Sequence, residues 1–439
     1  MTDTVFALAS APGRGGVAVM RVSGPGAGPA IAALTGRPLP PPRRASLARL
    51  RDPATGERID TGIVLWFPGP ASFTGEDMAE FQVHGGRAVV AALAEALAAC
   101  PGLRPAEPGE FTRRAFEAGR LDLTEAEAIA DLVDAETAAQ RRQALRQMEG
   151  ALGRLYEDWR GRLTRALAHL EADIDFPDED LPAGVGPAVR PVIERLAAEI
   201  AGHLDDGHRG ERLRDGISVA IVGAPNAGKS SLLNALARRD AAIVSETAGT
   251  TRDVIEVHLD VGGYPVVLAD TAGLREATDA VETEGIRRAL ARAEAADLRI
   301  AVFDAGALPD LDPRTAALVD AAAVVVVNKI DMRPGAELPA GALAVSALTG
   351  HGLPELVRRL ESLVADRFAV GPAPALTRAR HRAALEECRA ALLRALEAPL
   401  PELAAEDVRM ASRALGRITG RVDVEDLLDV IFRDFCIGK

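Results

Sequence analysis

The stretch Ile217-Ser-Val-Ala-Ile-Val-Gly223-Ala-Pro-Asn226-Ala227-Gly228-Lys229-Ser230 decides the fold of the middle of this chain. It is an apolar run of strand length, then a phosphate-binding loop of the form G-x-x-x-x-G-K-S, then the opening of a helix. Such a loop aims backbone N–H groups and the positive end of a helix at one point, which suits a polyphosphate. Lys229 is placed to reach the β and γ phosphates, and Ser230, followed by Ser231, to ligate Mg²⁺. Strand and helix patterns alternate from there. The apolar runs are Val254–Val261, Val266–Ala269, Ile300–Phe303, Val324–Val327 and Leu343–Val345. They predict a mostly parallel sheet with crossover helices. Gly262-Gly263 predicts one tight hairpin, which makes Val254–Val261 an antiparallel edge strand. The bland alternative is a glycine-rich strand-to-helix turn with no ligand.

Further motifs stand at the ends of the later strands. Asp270-Thr271-Ala272-Gly273 follows Val266–Ala269, with Asp270 where a second-shell Mg²⁺ ligand belongs and the Gly273 N–H facing the γ-phosphate. Asn328-Lys329-Ile330-Asp331 follows Val324–Val327. A carboxylate at Asp331 accepts from guanine N1–H and the 2-amino group, which adenine cannot supply, so an unpaired carboxylate would penalise ATP. Ser346-Ala347-Leu348 offers a backbone N–H to the guanine O6. Order, spacing and placement predict GTP as the nucleotide. Gly249-Thr250-Thr251-Arg252-Asp253 precedes the edge strand, and Thr251 is the natural switch residue with its hydroxyl on Mg²⁺. Leu274 stands where Ras-like proteins carry a Gln that orients the attacking water. Leucine cannot do that, so hydrolysis is either negligible or organised by Arg252, Arg275, Glu276, Glu282 or Glu284.

Outward from this core, 439 residues at 48% hydrophobic content suffice for about two to four domains. There is no apolar run long enough to span a membrane and no secretory signal pattern at Met1–Ser10. Cys100, Cys388 and Cys436 are too scattered for a disulfide framework or a zinc site, and the seven histidines lack metal-ligand spacing. A reducing cytoplasm is the expected compartment. The net charge is −13, distributed as +1 over 1–118, −8 over 119–215, −6 over 216–370 and 0 over 371–439. Any nucleic acid must therefore be held by a local patch. Of 51 basic residues only Lys229, Lys329 and Lys439 are lysines. Where arginine is so favoured, the surviving lysines mark places that need a compact ammonium.

Residues 1–118 read as α/β, with strands at Val5–Ala9, Val17–Val22, Ile63–Phe67 and Met78–Val83 and a helix over Ala88–Ala99. From Thr124 the chain is helical for some ninety residues, with Ile129, Leu132 and Val133, then Leu152, Leu155, Tyr156 and Trp159, as the apolar stripe. Thr124 with Glu127 resembles a capping box. Glu171–Asp180, with six acids in ten residues, reads as a helix end and solvated loop, or else a metal-binding cluster. After residue 370 the chain is helical again, with Val408, Leu415 and Ile418 on one face and Val424, Leu427, Leu428, Ile431 and Phe435 on another. These patterns predict an α/β and all-α multidomain protein. Its parts are an N-terminal domain at 1–118, helical segments at 119–215 and 369–439 that pack into one domain, and a Ras-like phosphate-loop GTPase domain inserted at 216–368.

Beyond the nucleotide motifs, the chain carries Ala11-Pro-Gly-Arg-Gly-Gly16, Ser72-Phe-Thr-Gly-Glu76, His84-Gly-Gly86, Pro108-Gly-Glu-Phe-Thr-Arg113, Leu121-Asp-Leu123 and the terminal Phe435-Cys-Ile-Gly-Lys439. With these it resembles, from end to end, the bacterial tRNA modification GTPase MnmE (TrmE) family. Small ribosome-assembly GTPases share the nucleotide motifs but not the others. The resemblance implies a folate-binding N-terminal domain that also dimerises, a discontinuous helical domain and an inserted GTPase. It implies a role in building the carboxymethylaminomethyl or aminomethyl group on C5 of the wobble uridine of certain tRNAs. A reduced folate (5,10-methylene- or 5-formyl-tetrahydrofolate) supplies the one-carbon unit. A flavoprotein of the MnmG (GidA) family supplies FAD, in an expected heterotetramer. By motif, the folate contacts are Arg21, Glu80, Arg120 and Lys439; on physics alone Arg21 and Glu80 read equally as a structural charge pair. Position 120 departs from the lysine expected in relatives. Asn226, Ser245, Thr247 and Thr250 match positions that hold K⁺, and Glu282 matches the residue that positions the catalytic water. Cys436 is a candidate reactive thiol, and Phe435 and Ile437 could equally bury it. Two other readings compete: a regulatory GTP switch in ribosome assembly, and a folate enzyme with a barely hydrolysing GTP domain.

Overall fold

The computed structural model describes residues 3–175, 186, 188–238, 256–270, 291, 293–369, 371, 374–422, 425–433 and 435–438. The chain forms two compact units, Met1–Ala130 with Gln147–Gly186 and Glu397–Lys439, and Asp131–Arg146 with Pro187–Leu396.

The first unit is built on a six-stranded sheet of β1 (Thr4–Leu8), β2 (Gly15–Ser23), β3 (Ser46–Arg51), β4 (Arg58–Phe67), β5 (Met78–Gly85) and β6 (Leu103–Pro105), in the order β3-β4-β5-β2-β1-β6. Its pairs are antiparallel except β1 with β6. Alternation gives each strand a buried face: Phe6, Met20, Val22, Leu50, Val64 and Phe81 pack under α1 (Ala27–Thr35) and α2 (Arg87–Ala98), against Ile31, Leu34, Leu93 and Leu97. The opposite face carries the row Ala7, Arg21, Glu80 and Leu65, each residue directly opposite the next across the strands. β3 and β6 were not legible as strands: β3 is an edge strand that alternates Leu47, Arg49 and Arg51 outward, and β6 has three residues.

α3 (Glu110–Glu117) and α4 (Leu123–Val133) follow. The capping box of α4 lies two residues before the expected Thr124–Glu127 pair. Asp122 Oδ1 accepts from the Glu125 N–H at 2.9 Å, and Glu125 Oε2 accepts from the Asp122 N–H at 2.8 Å. Thr124 and Glu127 are buried inside the helix instead. The apolar stripe is displaced too: α4 buries Leu123 and Ala126, while Val133 is 45% exposed. The C-terminal α14 (Glu425–Arg433) supplies Leu428 and Phe432, which pack with Phe435 on Leu123 and Ala126.

The long α6 (Ala151–Asp175) packs along α13 (Pro401–Thr419). Leu152, Tyr156, Trp159, Leu163 and Leu170 are buried, as are Ala404, Ala405, Val408, Ala411, Ala414, Leu415 and Ile418. The alanines let the two helices approach closely, and each large side chain so buried contributes ~1.5–3 kcal/mol. Glu157 lies beside Thr419 and Arg421, and Glu171 beside Arg409, so the two helices run antiparallel. Glu171 is therefore an ion-paired helical residue; 176–180 lie outside the described residues. Among the described residues no cluster of His, Cys, Asp and Glu could hold a metal.

The second unit holds the other six-stranded sheet: β7 (Ile217–Gly223), β8 (Glu256–Val261), β9 (Tyr264–Asp270), β10 (Leu298–Asp304), β11 (Ala323–Asn328) and β12 (Leu343–Ala344), in the order β12-β11-β10-β7-β9-β8. All pairs are parallel except β8 with β9, the expected antiparallel edge, and its turn glycines Gly262 and Gly263 have φ of 62° and 88°. α9 (Lys229–Ala237), α10 (Pro313–Ala316) and α11 (Leu353–Phe368) are the described crossover helices. Helices from both flanks complete this unit: most of α5 (Ala138–Met148), α7 (Arg190–Leu204), α8 (Arg209–Asp215) and α12 (Ala379–Glu397). Arg382 of α12 donates to Asp206, Glu211 and the Leu204 carbonyl, which ties it to α7 and α8.

Candidate functional site

β7 ends at Gly223 because the chain must pass Val302 closely there; a Cβ on Gly223 would stand 2.4 Å from the Val302 carbonyl oxygen. The loop then turns through Asn226 at φ 62° and Gly228 at φ 91°, left-handed conformations that rotate successive N–H groups toward one point. α9 begins at Lys229, whose buried Nζ donates to the carbonyls of Gly223 and Ala224 at 2.9 Å each. The loop is thus wrapped around an ammonium at a helix N-terminus, which fits a nucleotide polyphosphate. Ser230 and Ser231 lie in the first turn of α9, exposed on its surface. Asp270 closes β9 opposite Ile221, at the end of the sheet where the loop begins.

The loops that follow β11 and β12 are fastened to the phosphate loop by one buried amide. Asn328 Nδ2 donates to the Ala227 carbonyl at 2.9 Å, and Asn328 Oδ1 accepts from the Ala347 N–H at 3.1 Å. A Cβ at Gly228 would sit 2.2 Å from that Nδ2, so glycine is required there. Lys329 Nζ donates to the Asn226 carbonyl at 2.6 Å and to Asp304 Oδ2 at 2.7 Å. Asp304 escaped the sequence reading. Burial pushes its carboxyl up, but the Lys329 ammonium and the Gly306 N–H outweigh this and hold it below the usual carboxylate range. Its only sequence signal was a carboxylate at the end of the Ile300–Phe303 run. Ser346 is buried and takes the Thr349 N–H on its hydroxyl at 3.2 Å, while Asp331 and Leu348 are exposed at the rim. The structure therefore brings together Asn226, Ala227, Gly228, Lys229, Asn328, Lys329, Ser346 and Ala347. Ser245, Thr247, Thr250, Thr251, Thr271, Ala272, Gly273, Leu274 and Glu282 lie outside the described residues, as do Arg252, Arg275, Glu276 and Glu284.

A second cluster lies on the other face of the first unit's sheet, beside Val5, Ala7 and Phe111. Arg21 Nη2 donates to Glu80 Oε1 at 3.0 Å. The Arg21 guanidinium carbon lies 5.8 Å from the centroids of both Phe73 and Phe111, two rings the sequence reading did not single out. Arg120 Cγ runs 3.5 Å from the Cβ position of Gly75. Lys439 lies outside the described residues. Its neighbour Gly438 passes so close to β1 that a Cβ would be 2.3 Å from the Leu8 carbonyl oxygen. Cys436 is exposed, and its carbonyl accepts from the Gly109 N–H at 3.5 Å.

Two family models match the chain on either side of residues 121–122. A family model described as the MnmE helical domain matches residues 123–436, and one described as the N-terminus of the GTP-binding protein TrmE matches residues 4–120. The tRNA modification GTPase MnmE of Parvibaculum lavamentivorans is 61% identical over 442 residues, which cover 100% of this chain and 100% of that protein. The chain belongs to the MnmE family. The tRNA modification GTPase MnmE of Rhodospirillum rubrum is 62% identical over 453 residues, covering 100% of this chain and 99% of its own. Among solved structures, the G domain of the T. maritima FeoB iron transporter is 25% identical, covers 34% of this chain and 98% of its own, and has a TM-score of 0.26, too low to bear on the fold. As a member of the MnmE family the chain is a GTPase, and the expected fold class of α/β, helical and Ras-like parts is present. Among the described residues no helix is long and apolar enough to cross a membrane.

Proposed function

We propose that this GTPase, whose family acts in tRNA modification, works as a K⁺-dependent enzyme that installs the aminomethyl-type group on C5 of the wobble uridine. GTP and Mg²⁺ are its nucleotide and metal, and tRNA is its substrate. The one-carbon unit comes from a reduced folate, and a flavoprotein of the MnmG (GidA) family acts with a homodimer of this chain. The domain division that goes with this reading is 1–118, 119–215, 216–368 and 369–439.

The observation that carries the finer reading is the Arg21 cluster. A cation, a carboxylate and two phenyl rings meet on one sheet face, with the Arg120 stem beside Gly75 of the loop that carries Phe73 and the chain end leading to Lys439 against the adjoining strand. A reduced folate offers a pterin edge for a carboxylate, ring faces for phenyl groups and an anionic tail for cations. In this reading Glu80 holds the pterin edge, while Arg21, Arg120 and Lys439 hold the tail. The folate, when bound, would supply the one-carbon unit, at the formaldehyde oxidation level from the 5,10-methylene form and at the formate level from the 5-formyl form.

In the nucleotide domain, Lys229 leaves the loop carbonyls for the β and γ phosphates, and Ser230 and Thr251 hold Mg²⁺. Asn226 already stands in a left-handed conformation inside the loop. Its side-chain oxygen, with Ser245, Thr247 and Thr250, would hold K⁺ where other GTPases place an arginine finger. Glu282 orients the water, because Leu274 cannot. Mass spectrometry of wobble uridines tests the whole. Cells lacking this protein are expected to lose the C5 group, and the wild-type gene but not an Asp331→Asn variant to restore it. Unmodified levels that match the wild type in the deletion strain would refute the assignment.

A further inference from the structure

Two rings from different elements stand beside Arg21. Phe73 belongs to the loop between β4 and β5, and Phe111 to the first turn of α3. Phe73 packs against the buried cluster that contains Phe111, and the two rings keep their places beside the Arg21 guanidinium only if loop and helix are held together. Nothing in the Arg21–Glu80 pair does this, since both residues sit on strands.

Arg114 does. Its side chain is 1% exposed, and every guanidinium nitrogen is engaged. Nη1 reaches both carboxylate oxygens of Glu76 at 3.2 Å, three residues after Phe73. Nη2 and Nε reach Oε1 of Glu110, the residue before Phe111, at 2.9 and 3.3 Å. Nη2 also donates to Asp3 Oδ1 at 3.0 Å, and Nη1 to the Asp3 carbonyl at 3.2 Å. Glu76 is in turn tied to β2, because it accepts from Ser23 Oγ at 2.7 Å, and Ser23 shares a 2.7 Å hydrogen bond with Thr74 of the same loop. Ser23 lies two residues beyond Arg21 on one strand. One planar fork thus joins the loop that carries Phe73, the helix that carries Phe111 and the residue just before the first strand. A lysine point charge could not span all three.

We infer that Arg114 is a positioning residue of the folate site, which sets the spacing of Phe73 and Phe111 around Arg21. It is too buried to touch the ligand itself. The inference rests on the folate reading proposed above.

Calorimetry of the full-length protein with 5-formyltetrahydrofolate tests it, with GTP-analogue affinity measured alongside as a control for folding. Phe73→Leu is expected to weaken folate binding about tenfold, the scale of a lost ring–cation contact. Arg114→Lys is expected to do the same, and the double variant to be no weaker than the weaker single, because both changes disturb the same arrangement of rings beside Arg21. GTP-analogue affinity stays at the wild-type value throughout. If Arg114→Lys does not fold, Glu76→Gln serves in its place: it keeps the shape, weakens the link to Arg114, and is expected to be equally non-additive with Phe73→Leu. Losses that multiply, or an unchanged folate affinity in Arg114→Lys or Glu76→Gln, would overturn the positioning role. Wild-type protein that binds no folate would instead overturn the folate reading on which it rests.

Discussion

Lysine 329 shows how much one side chain can decide. Its Nζ bridges the Asn226 carbonyl and Asp304 Oδ2, so it ties the loop after β11 to the phosphate loop. Two residues on, Asp331 stands exposed. Asp331→Asn replaces the acceptor pair for guanine with an amide and is expected to lose ~2–4 kcal/mol of GTP binding. The same variant is expected to accept xanthosine nucleotides better, since their 2-oxo group suits an amide donor. Nucleotide titration monitored by fluorescence checks both, and wild-type GTP affinity in the variant would exclude the assignment. Asn328 predicts a different outcome. Asn328→Ala leaves the Ala227 carbonyl and the Ala347 N–H without their partner. It is expected to weaken GDP and GTP binding alike, because the fault lies in loop placement and not in reading the γ-phosphate. A selective loss of GTP would contradict this.

Among the elements, α4 and α3 carry consequences that stability measurements can read. The Asp122–Glu125 box closes the first turn of α4. Asp122→Ala is expected to cost ~1 kcal/mol, seen as a lower midpoint in urea unfolding. Thr124→Ala deletes a hydroxyl that donates to Asp122 Oδ1 but closes no box, so its cost is expected to be smaller. α3 makes the first unit sensitive to acid. Burial pushes the Glu110 carboxyl up, but Arg104, the Glu107 N–H and Arg114 outweigh it and hold the group below the usual carboxylate range. Asp3 is likewise pushed up by burial and brought below that range by Arg104 and Arg114. Both pKa values are lower folded than unfolded. Their contribution is therefore complete above the unfolded values and is lost as pH falls through the folded ones. Thermal scans are expected to show a melting temperature that falls steeply below about pH 4. Glu110→Gln is expected to be less stable at neutral pH and to show a flatter acid limb. A variant with the same acid limb as wild type would place the titration elsewhere.

For the whole molecule the decisive question is how hydrolysis is organised without a Ras-type glutamine. Leu274 leaves the water unoriented, and Asn226 sits inside the phosphate loop where a cation could neutralise the β–γ bridge. GTP turnover is expected to be fast in K⁺ and slow in Na⁺, which is too small for a cage of loop oxygens. Glu282→Ala is expected to bind GTP normally and lose ~2–4 kcal/mol of transition-state stabilisation. Equal rates in the two salts, or full activity in the variant, would mean another arrangement does the work.

The chemistry of the nucleotide site was legible in the chain because it is local. Strand, loop and helix N-terminus are consecutive from Ile217 to Ala237, and the base-reading motifs each close a strand that the apolar pattern marks. Parallel order and the antiparallel edge followed from the same periodicity and from Gly262-Gly263. What was misread depended on neighbours distant in sequence. The start of α4 shifted because Asp122 and Glu125 cap each other while Thr124 and Glu127 are drawn into the interior. Asp304 gained a role only when β10 and β11 lay side by side and set it against Lys329. The Arg21 cluster is the extreme case. Residues 21, 73, 80, 111 and 114 come from two strands, a loop and a helix, and no period or spacing in the sequence links them. Local order determined the phosphate loop by itself, since its donors are successive backbone groups. Only the tertiary structure could decide which arginine faces two rings and which one, fully buried, ties the loop of one ring to the helix of the other.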